Sequence, residues 1–136
     1  MMEIPRLLIV EDDAVNINML SGLLRNDYQI SIARTKKRAL EILENEDISL
    51  VLLDLNLPDG KGLDICEQFK SDKTRFSPPF MVVMTGYDEE NTEVSCFEAG
   101  ANEFISKPIK KESFLARLAL QTQLMKEAKR KEMCLS

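Results

Sequence analysis

The chain has 136 residues, 44% of them hydrophobic, and a formal net charge of −5 at pH 7. This length and apolar content fit one domain, and the acidic balance gives no general reason to expect direct nucleic-acid binding. The complete lack of histidine excludes imidazole-based zinc or haem sites, a Ser-His-Asp triad and phosphohistidine chemistry within this chain.

The first part of the chain predicts two strand–helix units. Residues 6–10 form a short apolar run, which is typical of a strand buried on both faces. A helix from about 14 to 26, a strand over 28–33 and a second helix that ends near residue 45 follow. The expected N-cap residues are Asp13 and Thr35. The positions expected to face the core are Val15, Met19, Leu20, Leu23 and Leu24 in the first helix and Ala39, Leu40 and Leu43 in the second.

The middle of the chain predicts a central strand that displays one carboxylate. The apolar run over about 49–54 stops at Asp54, and Pro58 and Gly60 then force the chain to turn. Asp54 is therefore expected at the carboxyl end of a buried strand, which is the edge where open α/β sheets bind ligands.

The rest of the chain repeats the alternation of helices and strands. The predicted helices span 63–70, 88–99 and from near 110 to beyond 131. The predicted strands span 80–84 and 102–106, and a polar loop is predicted over 71–79. The side chains expected to face inward are those of Leu63, Cys66, Phe69, Val94, Phe97, Phe114, Leu118 and Met125. Gly100 is expected to end the fourth helix.

Five strand–helix units predict an α/β fold, a doubly wound parallel five-stranded sheet with helices on both faces. In the flavodoxin-like (βα)5 order 2-1-3-4-5, strands one and three flank the crevice where ligands bind. Glu11 and Asp12, at the end of strand one, would then share a pocket with Asp54. Clustered carboxylates repel each other, so we expect a divalent cation, and the all-oxygen donors suit Mg²⁺ or Mn²⁺.

Two further strand ends add groups suited to a phosphoryl group. Thr85 follows strand four and offers a hydroxyl donor, and Lys107 follows strand five and offers an ammonium. Since Mg²⁺ keeps phosphate oxygens among its ligands and a carboxylate can act as a nucleophile, the pattern favours an aspartyl phosphate at Asp54.

The cysteines and the apolar runs indicate where the protein resides. Cys66, Cys96 and Cys134 are odd in number and widely spaced, which favours reduced thiols over a disulfide framework. No apolar run is long enough to span a bilayer, and the first residues lack the features of a secretory signal. We therefore expect a cytoplasmic protein with no membrane association.

Four motifs, each at a predicted strand end, resemble those of the receiver domain of two-component response regulators. The motifs read LIVEDD at 8–13, VLLDLNLPDG at 51–60, VVMTG at 82–86 and GANEFISKP at 100–108. The resemblance covers nearly the whole chain and implies a receiver domain over 1–125, followed by a basic helical extension or tail over 126–136. It also implies a cis peptide bond between Lys107 and Pro108.

The resemblance assigns roles to the residues at the strand ends. Asp54 is similar to the phospho-accepting aspartate, which also binds the metal. Thr85 and Lys107 match residues that contact phosphoryl oxygens. Asp12 matches a direct Mg²⁺ ligand, and Glu11 matches a residue that acts mostly through water.

Other positions carry roles that the resemblance also implies. The backbone carbonyl of Asn56 would complete the metal ligands, and the side chains of Asn56 and Tyr87 would tune the lifetime of the acyl phosphate. Thr85 and Phe104 would act as the switch that changes the surface of helix four, strand five and helix five. Phe104 departs from the tyrosine that is frequent at its position in the family, so it has no hydroxyl to donate.

The phosphoryl donor must be supplied in trans, because this chain has no histidine. The resemblance implies a sensor histidine kinase or a phosphotransfer protein as donor, and a phosphorelay switch that catalyses only its own phosphorylation and dephosphorylation. The alternative is a pseudo-receiver, an interaction module that works without phosphorylation. The last helix leaves three options open: a fraying tail, a homodimer face with the apolar stripe Ala116, Leu120 and Leu124, or a link to an output domain.

Overall fold

The computed structural model describes residues 4–70, 78–86 and 92–135. Five strands form one parallel sheet in the order 2-1-3-4-5, which confirms the flavodoxin-like fold. The strands are β1 (Arg6–Val10), β2 (Gln29–Ala33), β3 (Leu50–Asp54), β4 (Phe80–Thr85) and β5 (Glu103–Ser106). The helices are α1 (Ala14–Leu24), α2 (Lys36–Asn45), α3 (Leu63–Lys70), α4 (Glu93–Glu98) and α5 (Lys111–Leu135).

A small antiparallel ribbon lies in the loop after β3. Asn56–Leu57 pairs with Gly60–Lys61 across the predicted turn, and we call residues 56–61 the β3–α3 ribbon. The sequence predicted the turn but not the pairing. The peptide bond between Lys107 and Pro108 is cis, as expected.

The central strand β3 is buried at every position because helices cover both faces of the sheet. In β3, Val51 and Leu53 pack in a core cluster with residues of α2 and α3, whereas Leu50 and Leu52 pack in a cluster with residues of α1 and α5. Successive side chains of a strand point to opposite faces. A strand covered on both sides therefore buries every side chain, and in β3 the buried set includes Asp54.

The inward face of α1 differs from the predicted one. Val15 is 75% exposed and Met19 is also exposed, whereas Ile17, Leu20 and Leu24 are buried. Since a helix turns by about 100° per residue, the three buried positions share one face and Val15 lies on the opposite side. The prediction for Val15 and Met19 was wrong because α1 carries apolar residues on both sides, and periodicity does not select the side that meets the sheet.

The inward face of α4 also differs from the prediction. Val94 is 65% exposed and Phe97 is exposed, whereas Cys96 is buried. The described helix has only six residues, and Cys96 with Ala99 attaches it to the core, so Val94 and Phe97 are left on the outside. The predicted helix start at 88 and most of the predicted loop over 71–79 lie outside the described residues.

The last helix stays in contact with the body of the domain beyond its first turns. The buried apolar residues of α5, all predicted to face inward, are Phe114, Leu118 and Met125. The hydroxyl oxygens of Tyr28 and Thr122 lie 2.7 Å apart, and Lys129 Nζ donates to Ser49 Oγ at 2.6 Å. Of the helices in the described part of the chain, none is both long and apolar enough to cross a membrane.

Two glycines give opposite predictions for a substitution by alanine. A Cβ at Gly62 would lie 2.8 Å from both the Asp54 carbonyl oxygen and the Leu55 Cα, so Gly62→Ala is expected to lower the free energy of unfolding by roughly 1–3 kcal/mol. Gly22 lies exposed in α1, and a Cβ there would meet no atom outside its own helix turn within 4 Å. Gly22→Ala is expected to raise the free energy of unfolding by roughly 0.5–1 kcal/mol.

Urea unfolding of both variants beside the wild type measures these changes. Gly22→Ala is the matched control, since it adds the same methyl group in open space. A gain in stability for Gly62→Ala would show that the backbone after β3 moves to accept the methyl group.

Candidate functional site

Three carboxylates meet at the carboxyl edge of the sheet. Val10 of β1 lies opposite Leu53 of β3, and this register brings the residues that follow both strands together. One carboxylate oxygen from each of Glu11, Asp12 and Asp54 lies within 4.8 Å of the others. Glu11 is 1% exposed and Asp54 is 4% exposed, whereas Asp12 is open to solvent. The cluster is therefore buried at its base and accessible at one side.

The buried carboxylate of Glu11 is held by two donors. Its Oε1 accepts from Asn16 Nδ2 at 2.9 Å, and its Oε2 accepts from the backbone N–H of Asp12 at 3.0 Å. Burial raises the pKa of Glu11 from 4.5 to about 7, with the hydrogen bond to Asp54 and the charge of Asp54 acting in the same direction. Lys107 and Asn16 oppose this rise.

Lys107 is the cation that faces the cluster. Its Nζ lies 3.2 Å from Asp54 Oδ2 and 3.6 Å from Glu11 Oε1. The backbone N–H of Lys107 donates to the carbonyl oxygen of Thr85 at 2.8 Å, which ties the end of β5 to the end of β4. The ammonium of Lys107 therefore lies against the two buried carboxylates of the cluster.

Thr85 contributes a hydroxyl that has no partner within the described part of the chain. Its side chain is fully buried at the end of β4, and its Oγ1 makes no hydrogen bond there. In the pairing of β3 with β4, Asp54 lies opposite Met84, which is the residue before Thr85. A buried hydroxyl without a partner costs free energy, and an anionic oxygen bound beside Asp54 would supply the missing acceptor.

The backbone after Asp54 is folded against the site. Asp54 Oδ1 accepts from the backbone N–H of Asn56 at 3.1 Å, and the Asn56 side chain is exposed. The N–H of Gly62 donates to the Leu55 carbonyl oxygen at 3.1 Å and closes the loop. Of the two positions expected to tune the acyl-phosphate lifetime, Asn56 lies at the site and Tyr87 lies outside the described residues.

Phe104 lies on the strand next to Thr85. It is half-buried in β5, lies opposite Val83 in the register and packs against the core cluster on the α2–α3 face. It also lines a cavity of about 290 Å³ together with Glu93 of α4 and Arg117 of α5. The two expected switch residues therefore occupy neighbouring strands, and free volume adjoins the aromatic ring.

Sequence reasoning missed two side chains that support the acidic cluster. Asn16, in the first turn of α1, donates to Glu11, and Arg34 Nη2 donates to the Asp12 carbonyl oxygen at 2.7 Å. A helix that starts directly after an acidic strand end places its first turn near the carboxylates, which is a usable signal for Asn16. The sequence carries no comparable signal for Arg34, which lies 22 positions after Asp12.

The donor set of the cluster fits a hard divalent cation. Carboxylate oxygens are the ligands that Mg²⁺ and Mn²⁺ prefer, and the exposed side at Asp12 gives a cation access from solvent. Burial is the main cause of the raised pKa of Glu11, and the charge of Asp54 adds to it while Lys107 opposes it. Glu11, Asp12 and Asp54 could therefore hold such an ion.

Comparison with known proteins identifies the family. A family model described as the response regulator receiver domain matches residues 7–119. The regulatory protein VanR of Enterococcus faecium is 30% identical over 123 residues, which cover 90% of this chain and 52% of VanR. The cell cycle transcriptional regulator CtrA of Caulobacter vibrioides is 29% identical over 83% of this chain and 48% of its own length. The chain spans about half the length of these curated relatives.

Solved structures agree with this match. The signal receiver domain of a LuxO repressor protein from Vibrio parahaemolyticus superposes with a TM-score of 0.83 at 26% identity, covering 97% of this chain and 98% of that one. A CheY-like receiver domain from Methanospirillum hungatei has a TM-score of 0.79 at 29% identity, with 95% and 99% covered. The chain therefore belongs to the response regulator receiver domains of two-component signalling.

Proposed function

We propose that this domain is a phospho-accepting switch in which Asp54 receives a phosphoryl group from a phosphohistidine in the presence of Mg²⁺ or Mn²⁺. The observation that carries this proposal is the pairing of Asp54 with Lys107 at 3.2 Å, on the strand that neighbours Thr85, whose buried hydroxyl has no hydrogen-bond partner among the described residues. A carboxylate, an ammonium and a free hydroxyl donor are together the groups that phosphoryl transfer to an aspartate requires.

The acidic cluster is the proposed metal site. Asp12 and Asp54 would bind the ion directly, Glu11 would act mostly through water, and the backbone carbonyl of Asn56 would complete the protein ligands. A cation held there would neutralise the charge of the carboxylates and of an incoming phosphoryl group. The close approach of the three carboxylates, within 4.8 Å, supports this assignment.

Asp54 acts as the nucleophile in the proposed step. A carboxylate oxygen of Asp54 forms the new P–O bond while the P–N bond of the donor breaks, and its electron pair stays with the imidazole nitrogen. The ammonium of Lys107 stabilises the charge on one phosphoryl oxygen, and the Thr85 hydroxyl donates to another. Because this chain has no histidine, a sensor histidine kinase or a phosphotransfer protein supplies the group.

Thr85 and Phe104 couple the phosphoryl group to the surface. When the Thr85 hydroxyl donates to a phosphoryl oxygen, its side chain moves, and Phe104 rotates toward the space it leaves. The cavity of about 290 Å³ beside Phe104, lined by residues of α4 and α5, supports such a movement. The result is a population shift of the α4–β5–α5 surface, limited by the difference in stability between the two states.

The alternative is a pseudo-receiver that binds partners without phosphorylation. Such a module has no need for a complete set of acids, hydroxyl and ammonium at one strand edge. Here Glu11, Asp12, Asp54, Thr85 and Lys107 are all present and adjacent, which favours the switch. As a switch, the domain catalyses only its own phosphorylation and dephosphorylation, with no turnover of another substrate.

We assign residues 1–125 to the receiver domain and residues 126–136 to a basic extension.

We also propose that α5 forms a homodimer by packing against α5 of a second copy of the chain. The apolar stripe of Ala116, Leu120 and Leu124 is exposed, with Leu120 54% exposed. The stripe repeats every four residues on a helix that continues to Leu135, a spacing that suits packing against another helix. An output domain in a longer protein would be the competing occupant of this face.

Phosphorylation at Asp54 is the first expected outcome. Incubation with acetyl phosphate and Mg²⁺ should add the mass of one phosphoryl group to the intact chain. Asp54→Asn should abolish the gain, because the carboxylate nucleophile is lost, and EDTA should abolish it in the wild type. Asp47→Asn, which changes an exposed aspartate, is the matched control and should be labelled normally. Absence of labelling in the wild type, where another receiver domain is labelled, would favour the pseudo-receiver.

Glu11→Gln is expected to stabilise the metal-free protein, and more so at high pH. The pKa of Glu11 is raised from 4.5 to about 7. Between pH 4.5 and about 7, Glu11 therefore stays protonated in the folded protein but loses its proton in the unfolded chain. Stability therefore falls as pH rises through this window, and glutamine removes the fall. The gain in free energy of unfolding should be roughly 1–3 kcal/mol near pH 8 and small near pH 5.

Urea unfolding in EDTA at both pH values measures this difference. Glu44→Gln is the control, since Glu44 is exposed and its substitution should change stability little at either pH. An equal gain for Glu11→Gln at both pH values would contradict the assignment of the pH dependence to this carboxyl.

The proposed α5 dimer predicts a change in association state. Leu120→Glu should weaken self-association by roughly tenfold or more, because it places a charge in the shared apolar stripe. Val15→Glu introduces the same charge at an exposed apolar position of α1 and should leave association unchanged. Sedimentation equilibrium over a range of concentrations measures both. If the wild type stays monomeric over that range, the dimer proposal is wrong, and an output domain becomes the proposed partner of the α5 face.

A further inference from the structure

Asp59, in the turn of the β3–α3 ribbon, binds the beginning of a different helix. Its Oδ1 accepts from the backbone N–H of Lys36 at 2.7 Å, and its Oδ2 accepts from the N–H of Lys37 at 3.0 Å. These are the first two residues of α2. The N–H groups at a helix start have no partner within the helix, and a carboxylate is favoured there by the helix dipole.

The helix α2 already has a local cap, so Asp59 is not needed to begin it. The hydroxyl of Thr35 accepts from the N–H of Arg38 at 3.1 Å, and the Thr35 carbonyl accepts from the N–H of Ala39 at 3.0 Å. Thr35 therefore provides the ordinary N-cap. The two bonds to Asp59 instead connect α2 to a loop more than 20 residues away in sequence.

The same end of α2 holds the ribbon through a side chain. Gly60 has φ +153°, and a Cβ there would lie 3.1 Å from Cδ of Lys36, so the Lys36 stem runs across the glycine. Nζ of Lys36 continues to Asp64 of α3, at 2.8 Å from its Oδ2. The ribbon is thus bound to α2 at its tip, and α2 is bound to α3 beyond it.

The other end of the ribbon contacts the phosphorylation site. Asn56 pairs with Lys61 in the ribbon, and its N–H donates to Asp54 Oδ1 at 3.1 Å. A series of direct contacts therefore runs from the start of α2, through Asp59 and the ribbon backbone, to the Asp54 carboxylate. The two backbone hydrogen bonds also lower the pKa of Asp59, so its carboxylate stays charged at neutral pH.

We propose that Asp59 is a positioning residue: it holds the β3–α3 ribbon where the Asn56 N–H reaches Asp54 and the Asn56 carbonyl can serve as a metal ligand. This inference rests on the proposed function, because it assumes that the ribbon supplies a metal ligand at the phosphorylation site. Among the described residues, the hydrogen bonds of the Asp59 side chain go to the start of α2 and not to the acidic cluster. The effect of Asp59 is on Mg²⁺ affinity and on the order of the Asn56 backbone.

The test compares Asp59→Ala with Thr35→Ala. Each variant removes a side-chain acceptor from the same helix start, but only Asp59→Ala releases the ribbon. Both should lower the urea midpoint of unfolding. In calorimetric titration with Mg²⁺, Asp59→Ala should weaken binding on the order of tenfold, as losses around a metal site commonly do, whereas Thr35→Ala should leave the dissociation constant within about twofold of the wild type. Asp59→Asn, which keeps one acceptor oxygen, should fall between.

Hydrogen exchange of the backbone N–H of Asn56 provides a measurement that does not depend on metal. Exchange in the metal-free protein should be faster in Asp59→Ala than in Thr35→Ala, since only the first variant frees the ribbon. Wild-type Mg²⁺ affinity in Asp59→Ala would overturn this inference and leave the proposed function intact, whereas a wild type that binds no Mg²⁺ would overturn both. Should Asp59→Ala fail to fold, Asp59→Asn takes its place in the same comparison with Thr35→Ala.

Discussion

The burial of Glu11 beside a second carboxylate, that of Asp54, is the constraint on which the site depends. Parallel pairing of β1 with β3 ends both strands at one edge, so the carboxylates are brought together by the sheet itself. Their burial makes the charged form of Glu11 costly and raises its pKa to about 7. Lys107 and Asn16 reduce this cost, and a cation bound between the carboxylates would reduce it further.

Two donor groups also lie at the edge of the sheet where Asp54 is found. They are the ammonium of Lys107 and the hydroxyl of Thr85, which accepts or donates no hydrogen bond among the described residues. A backbone hydrogen bond joins the ends of β5 and β4 that carry them. Lys107 Nζ lies near the carboxylates of both Asp54 and Glu11, so the donors and the acids meet around Asp54. Groups held in place before the reaction need no reorganisation when charge develops, which is the main contribution a protein makes to phosphoryl transfer.

The loop after β3 meets a second constraint, because it must turn sharply while keeping its backbone close to Asp54. Gly62 permits the close approach to the Asp54 carbonyl, and Asp59 attaches the ribbon to α2. The helix α2 therefore positions the loop beside Asp54 in addition to covering one face of the sheet. On the far side, α5 stays in contact with the domain through Thr122 and Lys129 and leaves an apolar stripe outside.

Local features of the sequence were sufficient for the strands and the residues at their ends, because buried strands read as unbroken apolar runs and parallel strands end at a common edge. The order of the strands followed from the doubly wound fold that alternating strands and helices predict. The N-caps Asp13 and Thr35 were also predictable, since capping is local. The inward faces of α1 and α4 were not, because apolar residues lie on both sides of these helices. Asn16, Arg34 and the Asp59 contact with α2 depend on which distant segments meet, and only the packed tertiary structure decides that.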